Sequence, residues 1–135
     1  MTTIESNVEL IQAKDELIFN FLSDLNNFSA LVPEQVENWK SDTDSCSFRV
    51  SGLADIGLRI TERLPFSKIS ISSDGQSPVN FTMLLHINTE TETTCTFKIV
   101  FLAELNSIMA MMVSKPLGNF VNLLAEKLRK YYENQ

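Results

Sequence analysis

Between Ser107 and Tyr132 apolar residues return every three or four positions: Ile108, Met109, Met112, Val113, Pro116, Leu117, Phe120, Val121, Leu124, Leu128 and Tyr131. That spacing stacks side chains on one helical face, and a polar line of Lys115, Asn119, Asn122, Glu126, Arg129 and Glu133 runs opposite. At about 1.5 Å per residue the helix spans roughly 39 Å, the reach of strands of ten to thirteen residues at about 3.3 Å each. The pattern predicts a helix laid across a curved sheet, with room for a cavity between them.

The segments before it fit that picture. Thr3 to Gln12 alternates, with Ile4, Ser6, Val8 and Leu10 on one face of a half-buried strand. From Lys14 the period becomes helical, with Leu17, Ile18, Phe21, Leu22 and Leu25 on one side and Asp15 and Glu16 at the favoured dipole end. Asn26 or Asn27 can cap a second, shorter helix carrying Phe28, Leu31 and Val32, which Pro33 ends. Strands then follow one another: Val36 to Ser41 with the lone Trp39; Cys46, Phe48 and Val50; Ile56, Leu58, Ile60, Glu62 and Leu64 after a turn at Gly52; and Ile69 with Ile71 up to Ser73-Asp74-Gly75. Phe81, Met83, Leu85 and Ile87, then Cys95, Phe97, Ile99, Phe101, Ala103 and Leu105, set the inner faces of two long final strands. The chain thus predicts an α+β fold: a seven-stranded antiparallel curved sheet, two short helices after the first strand, and a long C-terminal helix across the sheet.

Further cues are the run Phe21-Leu22-Ser23-Asp24-Leu25-Asn26-Asn27, Leu31-Val32-Pro33, the Ser51-Gly52-Leu53-Ala54-Asp55 turn, and Pro116-Leu117-Gly118-Asn119-Phe120. In this order of elements the chain resembles the helix-grip proteins of the START-like or SRPBCC superfamily, related to Bet v 1 and the polyketide cyclases, over residues 1–135 as one domain. The resemblance implies a hydrophobic tunnel between sheet and helix that binds lipids, quinones, hormones or polyketides. Its expected lining from the first strands is Phe48, Val50, Leu58, Ile60, Glu62 and Ile69, and from the last two Phe81, Met83, Leu85, Phe97, Ile99 and Phe101. The helix would add Met109, Met112, Pro116, Phe120 and Leu124, methionine being suited to irregular apolar shapes. The alternative for the same residues is an ordinary filled core.

Composition narrows the partners. A net charge of -6 and a pI near 4.7 oppose binding to phosphate backbones, so no nucleic acid is expected. The start Met1-Thr2-Thr3-Ile4-Glu5 lacks a secretory pattern and no long apolar run stands out, which predicts a cytoplasmic chain with no integral membrane segment. Cys46 and Cys95 share the apolar parity of their strands and read as buried thiols. Lone His86 falls on the outward parity, so neither a metal site nor a hydrolytic triad is expected, and no glycine loop or fingerprint points to a cofactor. Glu62 is the one charge on an inward parity and the one candidate for proton transfer. Three functions follow: a non-enzymatic carrier or sensor of a small hydrophobic ligand, a cyclase-like or aromatase-like enzyme using Glu62, and a protein-docking module whose outward Leu84, Val100 and Leu102 form a patch for a homodimer.

Overall fold

The computed structural model describes residues 2–32, 34, 36–50, 54–74 and 80–133, the side chains of Val50 and Ala54 excepted. Pro33 and the turn glycines Gly52 and Gly75 lie outside the described residues. The elements are β1 (Thr2–Glu5), β2 (Glu9–Ile11), α1 (Asp15–Leu22), a 3₁₀ helix (Leu25–Ala30), β3 (Val36–Ser41), β4 (Ser45–Val50), β5 (Ala54–Leu64), β6 (Lys68–Ser73), β7 (Phe81–Thr89), β8 (Cys95–Ala103) and α2 (Ser107–Glu133). One antiparallel sheet runs β1-β8-β7-β6-β5-β4-β3, with β2 also paired to β8. The curved sheet and the long helix packed across it make the fold START-like. Of the seven expected strands, the first is divided into β1 and β2, so the sheet has eight.

That division is a one-residue bulge. Glu5 faces Val100 but Glu9 faces Phe97, so the N-terminal strand spends one residue more than β8 over the interval. Parity flips beyond it: Ile4 and Ser6 are buried, Val8 and Leu10 are 60% and 46% exposed, and Ile11 turns inward. The expected inward positions of Val8 and Leu10 are therefore corrected. The ladder is repaired by side chains. The Ile99 N–H donates to the Ser6 hydroxyl at 2.9 Å, and the Asn7 N–H donates to Asn122 Oδ1 of α2 at 2.7 Å. No backbone donor is stranded at those two points.

A second bulge lies in β5. Ile60 pairs with Ile71, yet Glu62 pairs with Ser70 and Arg63 with Ile69, so the side chain facing in beyond Ile60 is Arg63. Glu62 turns to the outer face and pairs with Lys68 at 3.1 Å. Arg63 reaches the end of α1, donating to the Ser23 carbonyl from Nε at 3.2 Å and Nη2 at 2.8 Å, and meets Asp44 at 2.6 Å. A cation is favourable at a helix C-terminus, and here it joins α1 to the β3–β4 turn. β3 carries a third bulge between Glu37 and Lys40, at Asn38 with φ 55°, a value that Asn tolerates.

The second short helix is 3₁₀, and its cap is Asp24, which accepts from the Asn26 N–H, rather than Asn26 or Asn27. It buries Leu25 and Phe28 over β3 and β4, while α1 buries Ile18, Phe19 and Leu22 over β6 and β7. α2 starts at Asn106, whose side chain accepts from the Met109 N–H at 2.9 Å. Its second half buries Val121, Leu124, Ala125 and Leu128 over β1, β2 and β8. Asn122 and Arg129 latch that half, Arg129 meeting Glu9 at 2.8 Å, and Tyr131 and Tyr132 pack on Phe21 with ring centroids 4.9 and 5.8 Å away. By length and composition α2 could cross a membrane, against the expectation of no such segment. The apolar window that meets this measure is only 17% buried, its exposed residues lying in the first half of the helix.

The β5 bulge separates two neighbouring charges by role. Arg63→Met should lower stability by about 1–2 kcal/mol through the lost carbonyl and carboxylate contacts. Glu62→Gln should change it by about 0.5 kcal/mol or less. Urea unfolding at constant m-value measures both, and equal effects would contradict the register described.

Candidate functional site

At the end of the sheet covered by α1, the concave face is full. Ile69, Leu85, Phe97 and Ile99 are almost wholly buried, and Leu22, Phe28, Leu31 and Leu124 close over them. The remaining void is about 10 Å³, at the threshold for a single water. Leu85, Phe97, Ile99 and Leu124, expected to line a tunnel, here line packed core. The 3₁₀ helix and the residue that ends it supply the filling side chains Phe28 and Leu31. Cys95 is buried beside them, and burial pushes its thiol up to about 11.

Toward the other end the cover thins. Leu58, Ile60, Met83 and Phe101 remain buried, and Phe48 is buried with its ring stacked against Trp39 at 5.4 Å. Beyond them, Val36, Ile56 and Phe81 on the sheet are only half-buried, as are Leu105 and, from α2, Val113, Leu117 and Phe120. The register puts these strand positions at one end: Val36 pairs with Val50 at the end of β4, Phe48 with Ile56, and Phe81 with Ala103 at the end of β8. α2 begins at that same end. These residues form an apolar rim, packed against the core and partly exposed on both its sheet and helix sides.

The first half of α2 does not present its methionines to this rim. The row Ile108, Met112, Pro116, Phe120, Leu124, Leu128 advances by four residues, and each step over-rotates a helix of about 3.6 residues per turn by roughly 40°. Five steps place Ile108 roughly 200° from Leu128. Pro116, without an N–H to donate, removes one hydrogen bond from the otherwise continuous helix between the halves. The line of Val121, Ala125 and Leu128 continues into the first half through the small residues Ala110, Ser114 and Gly118; Ser114 is exposed, and a Cβ at Gly118 would come 3.9 Å from Ile4. Met109, Met112 and Pro116 are exposed, a correction to their expected place in a lining; Phe120 reaches the rim and Leu124 the core.

A larger depression, of about 780 Å³, opens over β3, β4 and β5. Ser45, Ser47, Asp55 and Gly57 are on its outer-face parity, opposite buried Cys46, Phe48 and Leu58. It is broad because these residues are small, and a Cβ on Gly57 would run into the Asp74 carbonyl oxygen. Lys40, Asp42, Asp55 and Asp74 give it a polar lining. Asp42 is occupied with its own turn: it accepts from the Ser45 and Asp44 N–H groups, which hold its carboxyl below the usual range. Trp39, Cys46, Phe48 and Ile56 add apolar lining beside these charges, so its wall is mixed rather than the mostly apolar surface of a small-molecule pocket.

Glu62, the expected proton-transfer residue, is outside the concave face altogether, since the β5 bulge carries it to Lys68. Arg63, which takes the inward place, was missed; the adjacent charges Glu62-Arg63 ending an alternating run were its available signal. Val50 lies outside the described side chains. Cys46 is buried and its thiol is pushed up to about 12 by that burial. Leu84, Val100 and Leu102 are half-buried on the outer face. Among the described residues no group of three or more His, Cys, Asp or Glu could hold a metal ion.

No family model matches the chain, and neither does any curated protein. Solved structures match it over nearly its whole length. The protein XoxI from Bacillus cereus has a TM-score of 0.79 at 11% identity, covering 99% of this chain and 97% of that one. A START superfamily protein from Mycobacterium smegmatis has a TM-score of 0.77 at 14% identity, covering 98% and 97%. The Aha1 dimer from Colwellia psychrerythraea has a TM-score of 0.62 at 17% identity, covering 96% and 97%. At these identities the likeness is one of fold.

His86 is half-buried on the outer face, where its register neighbours are Lys68 and Lys98. Burial first, and then the two lysines, lower its pKa from 6.5, with Glu5 opposing. The unfolded chain therefore takes up this proton at a higher pH than the folded one, and stability is lost as pH falls through 6.5 toward the folded value. Between about pH 7.5 and about pH 5.5 the wild type should lose more stability in urea than His86→Gln does. Parallel curves for the two would contradict this environment.

Proposed function

We propose that the chain is a non-catalytic binding domain for a small apolar molecule of the lipid, quinone or polyketide kind, held at the open rim rather than in a through-going tunnel. The START-like fold is that of a ligand-binding domain superfamily. The observation that carries the proposal is the unequal closure of the concave face. One end is filled down to a void of about 10 Å³, while toward the end where α2 begins Val36, Ile56 and Phe81 of the sheet and Val113, Leu117 and Phe120 of α2 are half-buried. A molecule burying about 300 Å² there would gain several kcal/mol before ordering costs, at about 25 cal/mol per Å². The small residues Ala110, Ser114 and Gly118 let it approach the α2 backbone. Catalysis of the cyclase kind has no support in the inward charge, because Arg63 is engaged by Ser23 and Asp44.

A panel of fatty acids, quinones and aromatic polyketides tests this by thermal unfolding, beside native mass spectrometry of the freshly purified chain. A member at about a hundredfold excess over its Kd adds about 2.7 kcal/mol, a rise in Tm of roughly 8 °C. Val113→Asp, at the half-buried lip, should weaken that binding about tenfold or more. A bare chain in the mass spectrum with no shift across the panel would overturn the proposal.

A further inference from the structure

The part of the rim built by β6 and β7 carries a hydroxyl among its apolar residues. Ser73, the last residue of β6, pairs with buried Leu58 and so shares its inward face. Phe81, the first residue of β7, donates its N–H to the Ser73 hydroxyl at 3.0 Å. That bond occupies a lone pair and leaves the hydroxyl proton, for which no acceptor stands among the described residues. Ser73 and Phe81 are both half-buried, so an incoming molecule can reach them. The Phe81 ring is itself stacked on Phe101, with centroids 4.8 Å apart. An aromatic platform and an unengaged O–H donor therefore lie side by side at the partly exposed end of the concave face. Thr2, a second inward hydroxyl at this end, pairs with Ala103 at the sheet margin, three strands and roughly 14 Å away.

We propose that the rim selects a planar ring bearing a neutral carbonyl oxygen, the class of quinones and aromatic polyketides, over an acyl chain. The ring lies against Phe81 and its carbonyl accepts the Ser73 O–H. This selectivity presupposes the rim as the ligand site proposed above. Aromatic rings favour offset or edge contacts at centroid distances of roughly 4.5–7 Å, so a third ring continues the Phe81–Phe101 stack, whereas a saturated chain makes no such contact. A fatty acid would also bring an ionised carboxylate to a rim whose residues Val36, Ile56, Phe81, Val113, Leu117 and Phe120 include no cation, and an unpaired charge is costly to desolvate. A neutral carbonyl needs one donor, which Ser73 supplies.

Isothermal titration calorimetry with 2-acetylnaphthalene and 2-ethylnaphthalene tests this, because the two differ by a carbonyl against a methylene, with decanoate as the acyl chain. The wild type should bind the ketone about fivefold or more tighter than the hydrocarbon, and decanoate more weakly than either. Ser73→Ala should abolish the difference between the two naphthalenes without weakening the hydrocarbon, and Ser73→Thr should keep the difference. Equal binding of ketone and hydrocarbon by the wild type, or decanoate the tightest of the three, would overturn the selectivity; a loss of that binding in Val113→Asp would then still uphold the rim as the site. Should none of the three bind, the rim is not the site and the selectivity falls with it.

Discussion

A residue added to one strand of an antiparallel ladder turns every side chain beyond it to the other face, and this protein uses that device three times. In the N-terminal strand it moves Ile11 into the core and frees the backbone of Asn7 for Asn122 of α2. In β5 it exchanges Glu62 for Arg63 and so joins the sheet to the end of α1. The attachment of both helices to the sheet therefore depends on phase as much as on apolar area.

The two halves of α2 behave as different objects. The second is a core helix, wedged on β1, β2 and β8 and fastened by Asn122, Arg129 and the tyrosines around Phe21. The first, with Lys115 its single charge, loses the sheet, because a four-residue repeat cannot stay on one side of a helix for that distance.

Much of the fold was legible in the sequence. Alternation in β6, β7 and β8 placed Ile71, Met83, Leu85, Phe97 and Ile99 in the core and His86 outward, and alternation in β4 and β8 set the two cysteines inward. The errors fall where local pattern carries no information about a partner strand. A bulge is set by the count of residues on two strands together, so nothing in Thr61-Glu62-Arg63 alone fixes which charge faces in. Likewise the apolar row of α2 reads as one face when gaps of three and four are treated alike, and the accumulated rotation appears only when the row is measured against a fixed sheet. The filling of the interior by Phe28 and Leu31 was hidden for a third reason, since it depends on where a short 3₁₀ segment is folded back.

The bulges also bear on how the molecule survives in a crowded solution. An open sheet ends in two strands whose unpaired amides invite further strands to add on. Here β3, at one margin, is kinked at Asn38 and bears Glu37 and Lys40, while the opposite margin is broken between β1 and β2 and overlain by α2. Neither border offers a straight row of donors and acceptors long enough to template a neighbour. The same irregularity that aims side chains inward thus guards the sheet against growing into a fibre.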